Sequence, residues 1–514
     1  MLRFIEFIRN QERWFFFLFV AASCSVFFLT RHFVTLDGPA HLYNAGLLAE
    51  MIKGNSSLYD YYEFNSLLIP NWMGHFFLSF FQLFLPGEWS EKLFLVLYVF
   101  AFSYSFRFFV RQYDRKNGMI SILILPFVFS TFLYFGFYNF SIAFVFLFRL
   151  LGVLKKYEGK YDILFYLRFS GLLLCIWYSH ITVFVFALLL TASLRVFHHY
   201  LKGMVWKKFL RESAFLFIAV LPGVILTLLY KQKYGSPDGF SYLPVDEIHH
   251  YFYRIQSFVH YTTDEGKFNF YFFWFFVGSI VVLLFFRISA RGPHSPLILD
   301  SDILFILAIP VAILCYVLPD SDSKGGYIII RMNYMFYLLI FSWIATQRWN
   351  SLLQMISVAG ILLVFAAETR FRTKIQLEAS RMASDIYYAA ELLPDQAVVL
   401  PVQLSSNWVT GHYSNYLGAD KPVIILENYE AAQDYFPLRW KANSPASALW
   451  PSADAICLEK PEFFGAQYPL ITHVFILHGD LQASESCKST MNTLLQNNAE
   501  LKYSSQFCSL YELR

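Results

Sequence analysis

The sequence predicts an α-helical polytopic membrane protein of about 11 transmembrane helices with a small C-terminal α/β domain, and three observations predict it. Hydrophobic residues make up 57% of the 514-residue chain and charged residues only 15%, whereas soluble domains run nearer a quarter charged. Apolar stretches long enough to cross about 30 Å of hydrocarbon recur from Trp14 to about Phe365. From about Glu368 the pattern changes to alternating polar and apolar residues with an ordinary load of Asp, Glu, Asn and Ser.

The expected spans are 13–33, 92–110, 118–135, 139–154, 161–178, 181–197, 212–230, 268–287, 303–319, 328–346 and 350–367. Segment 71–86 is apolar but short and carries His75 and Gln82, so it reads as interfacial or re-entrant. Orientation follows from the basic residues. With an inside N-terminus, 18 Lys and Arg fall on inner segments and span ends, against 9 on the outer ones before the C-terminal domain. A twelfth span at 71–86 would put the Arg107 to Lys116 cluster outside and break that bias. The first apolar run lacks an Ala-x-Ala cleavage site and reads as a retained anchor.

The chain therefore divides into a membrane domain, 1–367, with a first outer loop at 34–91, and an extracytoplasmic α/β domain, 368–514. In the latter, β-rich runs at 397–400, 422–426, 455–458, 473–477 and 509–513 alternate with helical patterns at 374–393 and 489–496. Six cysteines are few for this length; Cys24, Cys175 and Cys315 are expected to pack inside spans. An oxidising compartment would allow one disulfide, with Cys487–Cys508 as the candidate pairing.

Sorted by face, polar residues near the membrane gather outside. The run Thr35-Leu36-Asp37-Gly38-Pro39-Ala40-His41 sets an acid and a histidine four residues apart directly after an apolar helix, where packing has little use for either. Glu63, Asn71 and His75 follow in the same loop, and Asn139 and His180 stand at abrupt turns between spans. Each of these, singly, could cap a helix or meet water. Together they could ring one outward-facing cavity. In the loop Pro319 to Arg331, Lys324 and Arg331 could grip a phosphate, Arg331 by a bidentate fork, or could be solvated and snorkelling cations. Between Pro244 and Thr263 apolar residues recur at helical spacing, as in a helix lying on the outer surface, with His249, His250 and His260 expected on its wet side. No Cys/His spacing resembles a zinc site, so no metal ligand is expected; a divalent metal is compatible with the chemistry but not indicated, and no other cofactor is required.

On these residues the chain resembles the GT-C superfamily of membrane glycosyltransferases, whose members typically place an acid in the first outer loop soon after the first span, as Asp37 is here. Asp37-Gly38-Pro39-Ala40-His41 departs from the Asp-Glu and Asp-Pro pairs of several members. The resemblance implies sugar transfer from a polyprenyl-phosphate donor to a lipid, glycan or protein acceptor on the periplasmic face of a bacterial inner membrane. It implies Asp37 as the base and Arg331 as a donor-phosphate contact; on residue type and placement alone, His41, Glu63, Asn71, His75, Asn139, His180 and Lys324 are the further expected contacts. Membrane lipids are the expected surroundings, and nothing suggests nucleic acid. The competing class is a transporter or lipid flippase, against which stand the lack of an internal repeat and of acids deep in a span.

Overall fold

The computed structural model describes residues 11–235, 238–289, 298–323, 325–442, 444, 471–480, 495 and 499–513. They form two compact units. One holds the chain up to Ser25 with Leu97–Leu133 and Phe140–Arg372; the other holds Val26–Val96, Tyr134–Asn139 and the chain from Thr373 onward.

Helix occupies part or all of every apolar interval named above. In chain order the helices are α1 (Glu12–Ser23), α2 (Gly38–Ile52), α3 (Met73–Gln82), α4 (Gly87–Tyr113), α5 (Tyr138–Lys156), α6 (Ile163–Ser179), α7 (Ile181–Leu201) and α8 (Trp206–Tyr234), with short helical turns over 120–134. They continue with α9 (Val245–Arg254), α10 (Gly266–Ser289), α11 (Asp302–Leu314), α12 (Ile328–Thr346) and α13 (Ser351–Glu391). Among the described residues, 7 helices are long and apolar enough to cross a membrane, and three shorter apolar ones lie at 120–134, 163–179 and 302–314. This is an integral membrane protein.

Phenylalanine builds the core of the first unit. Phe341 of α12 stacks on Phe106 of α4 and on Phe127, with centroids 5.2 and 5.3 Å apart, and Phe148 of α5 meets Phe106 edge-on at 4.8 Å. Such offset and edge-to-face pairs let a greasy interior keep a defined geometry. By contrast α8 exposes Phe215, Phe217, Ile218, Ile225 and Leu228, an apolar face suited to lipid.

A buried charge network also lies in this unit. Arg372 donates through Nε to Glu265 at 2.9 Å, and through Nη2 to the Phe258 carbonyl at 2.8 Å and to Glu368. The surface helix expected over 244–263 stops at Arg254, because Ile255 adopts a left-handed conformation with φ +47°. The chain then turns inward, which corrects the expectation for His260. It is buried, not wet, with Nδ1 2.9 Å from Thr131 Oγ1 and Nε2 3.0 Å from the Phe129 carbonyl. His249 and His250 remain exposed.

In the second unit a five-stranded sheet runs β3-β2-β5-β7-β6, built from β2 (Val398–Gln403), β3 (Ile424–Ile425), β5 (His473–Leu477), β6 (Ala499–Ser504) and β7 (Cys508–Leu513). β2 pairs in parallel with β3 and β5, while β7 is antiparallel to both its neighbours. A separate antiparallel pair joins β1 (Tyr62–Phe64) to β4 (Leu438–Trp440). The strand expected at 455–458, the helix expected at 489–496 apart from residue 495, and Cys487 of the candidate disulfide lie outside the described residues.

α3 has 10 residues, about 15 Å at 1.5 Å per residue, half of what a span needs. Its His75, Leu78, Ser79 and Gln82 are buried while Phe76 and Phe80 are exposed, the one-sided pattern of an interfacial helix. α13 has 41 residues and continues well beyond the apolar interval 350–367. Its Gln376 brackets the main chain of Val34 through two hydrogen bonds of 2.9 and 2.7 Å.

Candidate active site

Two glycines and a proline set the position of Asp37. Pro39 occupies the first turn of α2, where its missing N–H costs nothing. Main-chain bonds from Leu36 N to Tyr134 O and from Asp37 N to Phe135 O tie this corner to the 134–139 turn at 3.2 and 3.0 Å. Gly136 makes that turn with φ +76°, and a Cβ there would stand 2.6 Å from Gly38 N and 2.9 Å from Asp37 N. A Cβ on Gly38 would meet Thr35 Oγ1 at 2.2 Å and the Tyr138 hydroxyl at 2.8 Å. Only glycine fits either place.

Asp37 stands at the N-terminal boundary of α2, yet its side chain caps no N–H of that helix. The carboxylate, 15% exposed, faces His412 Nε2 at 3.7 Å and accepts a hydrogen bond from Tyr429. His412 stacks on the Tyr429 ring, centroids 4.3 Å apart, and its Nδ1 lies 2.6 Å from Glu427 Oε1. The fully buried Glu427 accepts from the Ser414 hydroxyl at 2.9 Å and from the Asn415 amide. Glu427, His412 and Asp37 form a line of alternating charge that is sealed at one end and reaches solvent at the other.

A second cluster adjoins it. His41 projects from the first turn of α2, His75 from α3, and Glu430 from the segment after β3. His75 Nε2 is 2.8 Å from Glu430 Oε2. His41 Nδ1 is 2.5 Å from Glu430 Oε1 but off the hydrogen-bond axis, so both atoms are buried without a hydrogen bond. The two imidazoles pack edge-on, centroids 4.9 Å apart, beneath Phe436. Asn44, on α2, and Asn428 exchange amide hydrogen bonds, both 2.9 Å, which fixes the 427–430 segment on the helix that carries Asp37 and His41.

Electrostatics follow from burial and these neighbours. Burial raises the Asp37 pKa above the usual carboxylate range, and the charges of His412 and His41 only partly offset it. Burial alone would lower His412, but the charge and hydrogen bond of Glu427, with the charges of Asp37 and Glu430, outweigh it and push it up to about 9. His412 is therefore an imidazolium at neutral pH. For Glu430 burial works upward, but His41 and His75 hold it at about 2.

The other residues singled out in the sequence divide as follows. Asn139 is in this unit and accepts the Gly74 N–H at 2.7 Å, at the start of α3. Asn71, with φ +63°, makes the turn into the same helix. Glu63 pairs across β1 and β4 with Arg439 at 2.8 Å, on the surface. His180 and Arg331 belong to the first unit, where both lie against the Phe140 ring, the histidine edge-on at 5.1 Å and the guanidinium over the face at 5.5 Å. Lys324 lies outside the described residues. Sequence reasoning missed His412, Glu427 and Glu430. The run Leu426-Glu427-Asn428-Tyr429-Glu430, just past the C-terminal end of a parallel strand, was a signal, since sites in open α/β sheets form outside that end.

The helical membrane region and the small sheet-bearing portion define the class: a polytopic membrane protein. The chain is similar to the crystal structure of ArnT from Cupriavidus metallidurans bound to undecaprenyl phosphate, with a TM-score of 0.50 and 12% identity over 96% of this chain and 97% of that one. No family model matches the sequence, and no curated protein matches it. At that identity the likeness establishes the fold, and the site must carry any functional argument.

Proposed function

We propose that the chain transfers a sugar from a polyprenyl-phosphate donor to an acceptor at the periplasmic face of a bacterial inner membrane, with Asp37 as the base. The acceptor's proton passes to the Asp37 carboxylate as the acceptor atom bonds to the sugar's anomeric carbon. The bond from that carbon to the phosphate oxygen breaks, and the polyprenyl phosphate leaves with its electron pair. One base suffices, because the leaving phosphate is already a stable anion. The observation that carries this reading is that the Asp37 carboxylate caps nothing, remains in part open to solvent, and is backed by a histidine whose other nitrogen is held by a buried glutamate.

Burial makes Asp37 a stronger base than an ordinary aspartate, and His412 orients it while stabilising its charge. Arg331 is the proposed contact to the donor phosphate, with Lys324 as a further cation. Glu63, Asn71, Asn139 and His180 are the proposed further contacts to sugar or acceptor. ArnT was crystallised with undecaprenyl phosphate, which supports a carrier of that chemistry here.

The test is reconstitution of the purified full-length protein with a panel of polyprenyl-phosphate sugars, reading release of the free carrier. Transfer by the wild type and its loss in Asp37→Asn are expected; undiminished transfer in that variant removes the base assignment. Arg331→Ala should weaken donor binding, and unchanged donor affinity would count against the phosphate contact.

A further inference from the structure

The cluster of His41, His75 and Glu430 has no part in the transfer step as written, and its geometry is unusual for a packed interior. Their relative exposures are 4%, 1% and 0%. One ligand-type atom from each lies within 4.8 Å of the others. His41 Nδ1 and Glu430 Oε1 approach to 2.5 Å, yet neither has a hydrogen-bond partner. Two buried polar atoms this close and off axis leave an electrostatic problem that a side-chain hydrogen bond does not resolve.

The surroundings match a metal site. The Gly136 main chain stands where it can accept from the His41 ring. A carbonyl on one imidazole nitrogen fixes the tautomer that turns the other toward a metal. Asn44 and Asn428 hold the Glu430 segment to α2. The rings of His41 and His75 are locked under Phe436.

We propose that His41 Nδ1, His75 Nε2 and a carboxylate oxygen of Glu430 bind one divalent cation of the zinc class, with a fourth position left for water. Two imidazoles and one carboxylate are a known zinc donor set, and imidazole nitrogen disfavours magnesium and calcium. Bonds of about 2.1 Å give tetrahedral edges of roughly 3.4 Å, so the contacts of 2.5 and 2.8 Å need to open by under ~1 Å each. A contrast inside the molecule sharpens the inference. Glu158, His198 and Asp300 also gather their ligand atoms within 4.8 Å, but Lys155 sits among them, bonded to both acids. There the cation is already supplied by a side chain. At His41, His75 and Glu430 no Lys or Arg serves that purpose among the described residues.

The ion would join the helix that bears Asp37 to α3 and to the segment after β3, and the inference stands whether or not the chain transfers a sugar. The experiment takes full-length protein in detergent, strips it with a chelator, and titrates it with Co²⁺ as a spectroscopic stand-in for zinc. Metal content is measured in parallel after incubation with Zn²⁺. Wild type should take up about one ion per chain and show the intense visible bands of four-coordinate cobalt. His75→Gln and Glu430→Gln should weaken uptake by at least about 10-fold, a floor taken from the loss of even an outer-shell partner. The exposed-histidine variant His249→Gln/His250→Gln should bind as the wild type does. A wild type that binds no stoichiometric ion, or only six-coordinate cobalt, overturns the proposal even if the cluster variants fail to fold. Uptake that follows His249 and His250 instead overturns it as well.

Discussion

Arg372 with Glu265 and Glu368, and Asp37 with His412 and Glu427, are both lines of opposite charge enclosed by the protein, but they end differently. The Arg372 guanidinium donates to both glutamates and to a carbonyl, and all three side chains are at most 1% exposed. In the other line Glu427 is sealed while Asp37 and His412 retain 15% and 12% exposure, and the Asp37 carboxylate caps no helix. Charge that holds a fold is saturated by its partners; the Asp37 line leaves one end open, as the proposed base requires.

The sharpest way to break that contrast is to neutralise each line. Asp37→Asn should cut transfer by about 10²- to 10⁴-fold with the thermal midpoint unchanged, read in the carrier-release assay and by calorimetry. Arg372→Leu should do the reverse, leaving two buried carboxylates unpaired and costing about 3–5 kcal/mol of stability, with activity per folded molecule retained. A fall in transfer with intact stability in Arg372→Leu would erase the distinction.

A pH series separates the two as well. Because His412 is raised in the folded protein, its ion pair with Glu427 contributes fully below the ordinary histidine pKa of about 6.5 and is lost as pH rises through about 9. Transfer should therefore decline on the alkaline side, and His412→Gln should abolish that limb. Smaller still, Asn428→Ala strands the buried Asn44 amide and should cost about 1–3 kcal/mol by chemical denaturation. Glu63→Gln, which removes only an exposed pair with Arg439, should shift stability by no more than about 1 kcal/mol.

What could be read from the chain follows physical range. Hydropathy is local, and helix appears in each apolar interval from 13–33 to 350–367. Asp37 was legible because an acid beside an apolar helix is anomalous within ten residues of sequence. His412 and Glu430 were not, because their partners Asp37, His41 and His75 lie more than 300 residues away and no spacing rule links them; Glu427 has near partners in His412, Ser414 and Asn415, but its place behind Asp37 depends on the same distant contact. Segment 244–263 illustrates the opposite failure. Its helical period was real up to Arg254, but the left-handed turn at Ile255 redirected His260 inward, a reversal that periodicity does not encode.

The unit that holds Asp37 is assembled from Val26–Val96, Tyr134–Asn139 and the chain from Thr373 onward. During synthesis its first loop is complete long before its last partners leave the ribosome. Until then His41, His75 and Asn44 have neither Glu430 nor Asn428 to meet. Biogenesis thus imposes a waiting period on the half-built site, and a nascent chain stalled before residue 373 would carry the acid and His41 but neither His412 nor Tyr429, Glu427 or Glu430.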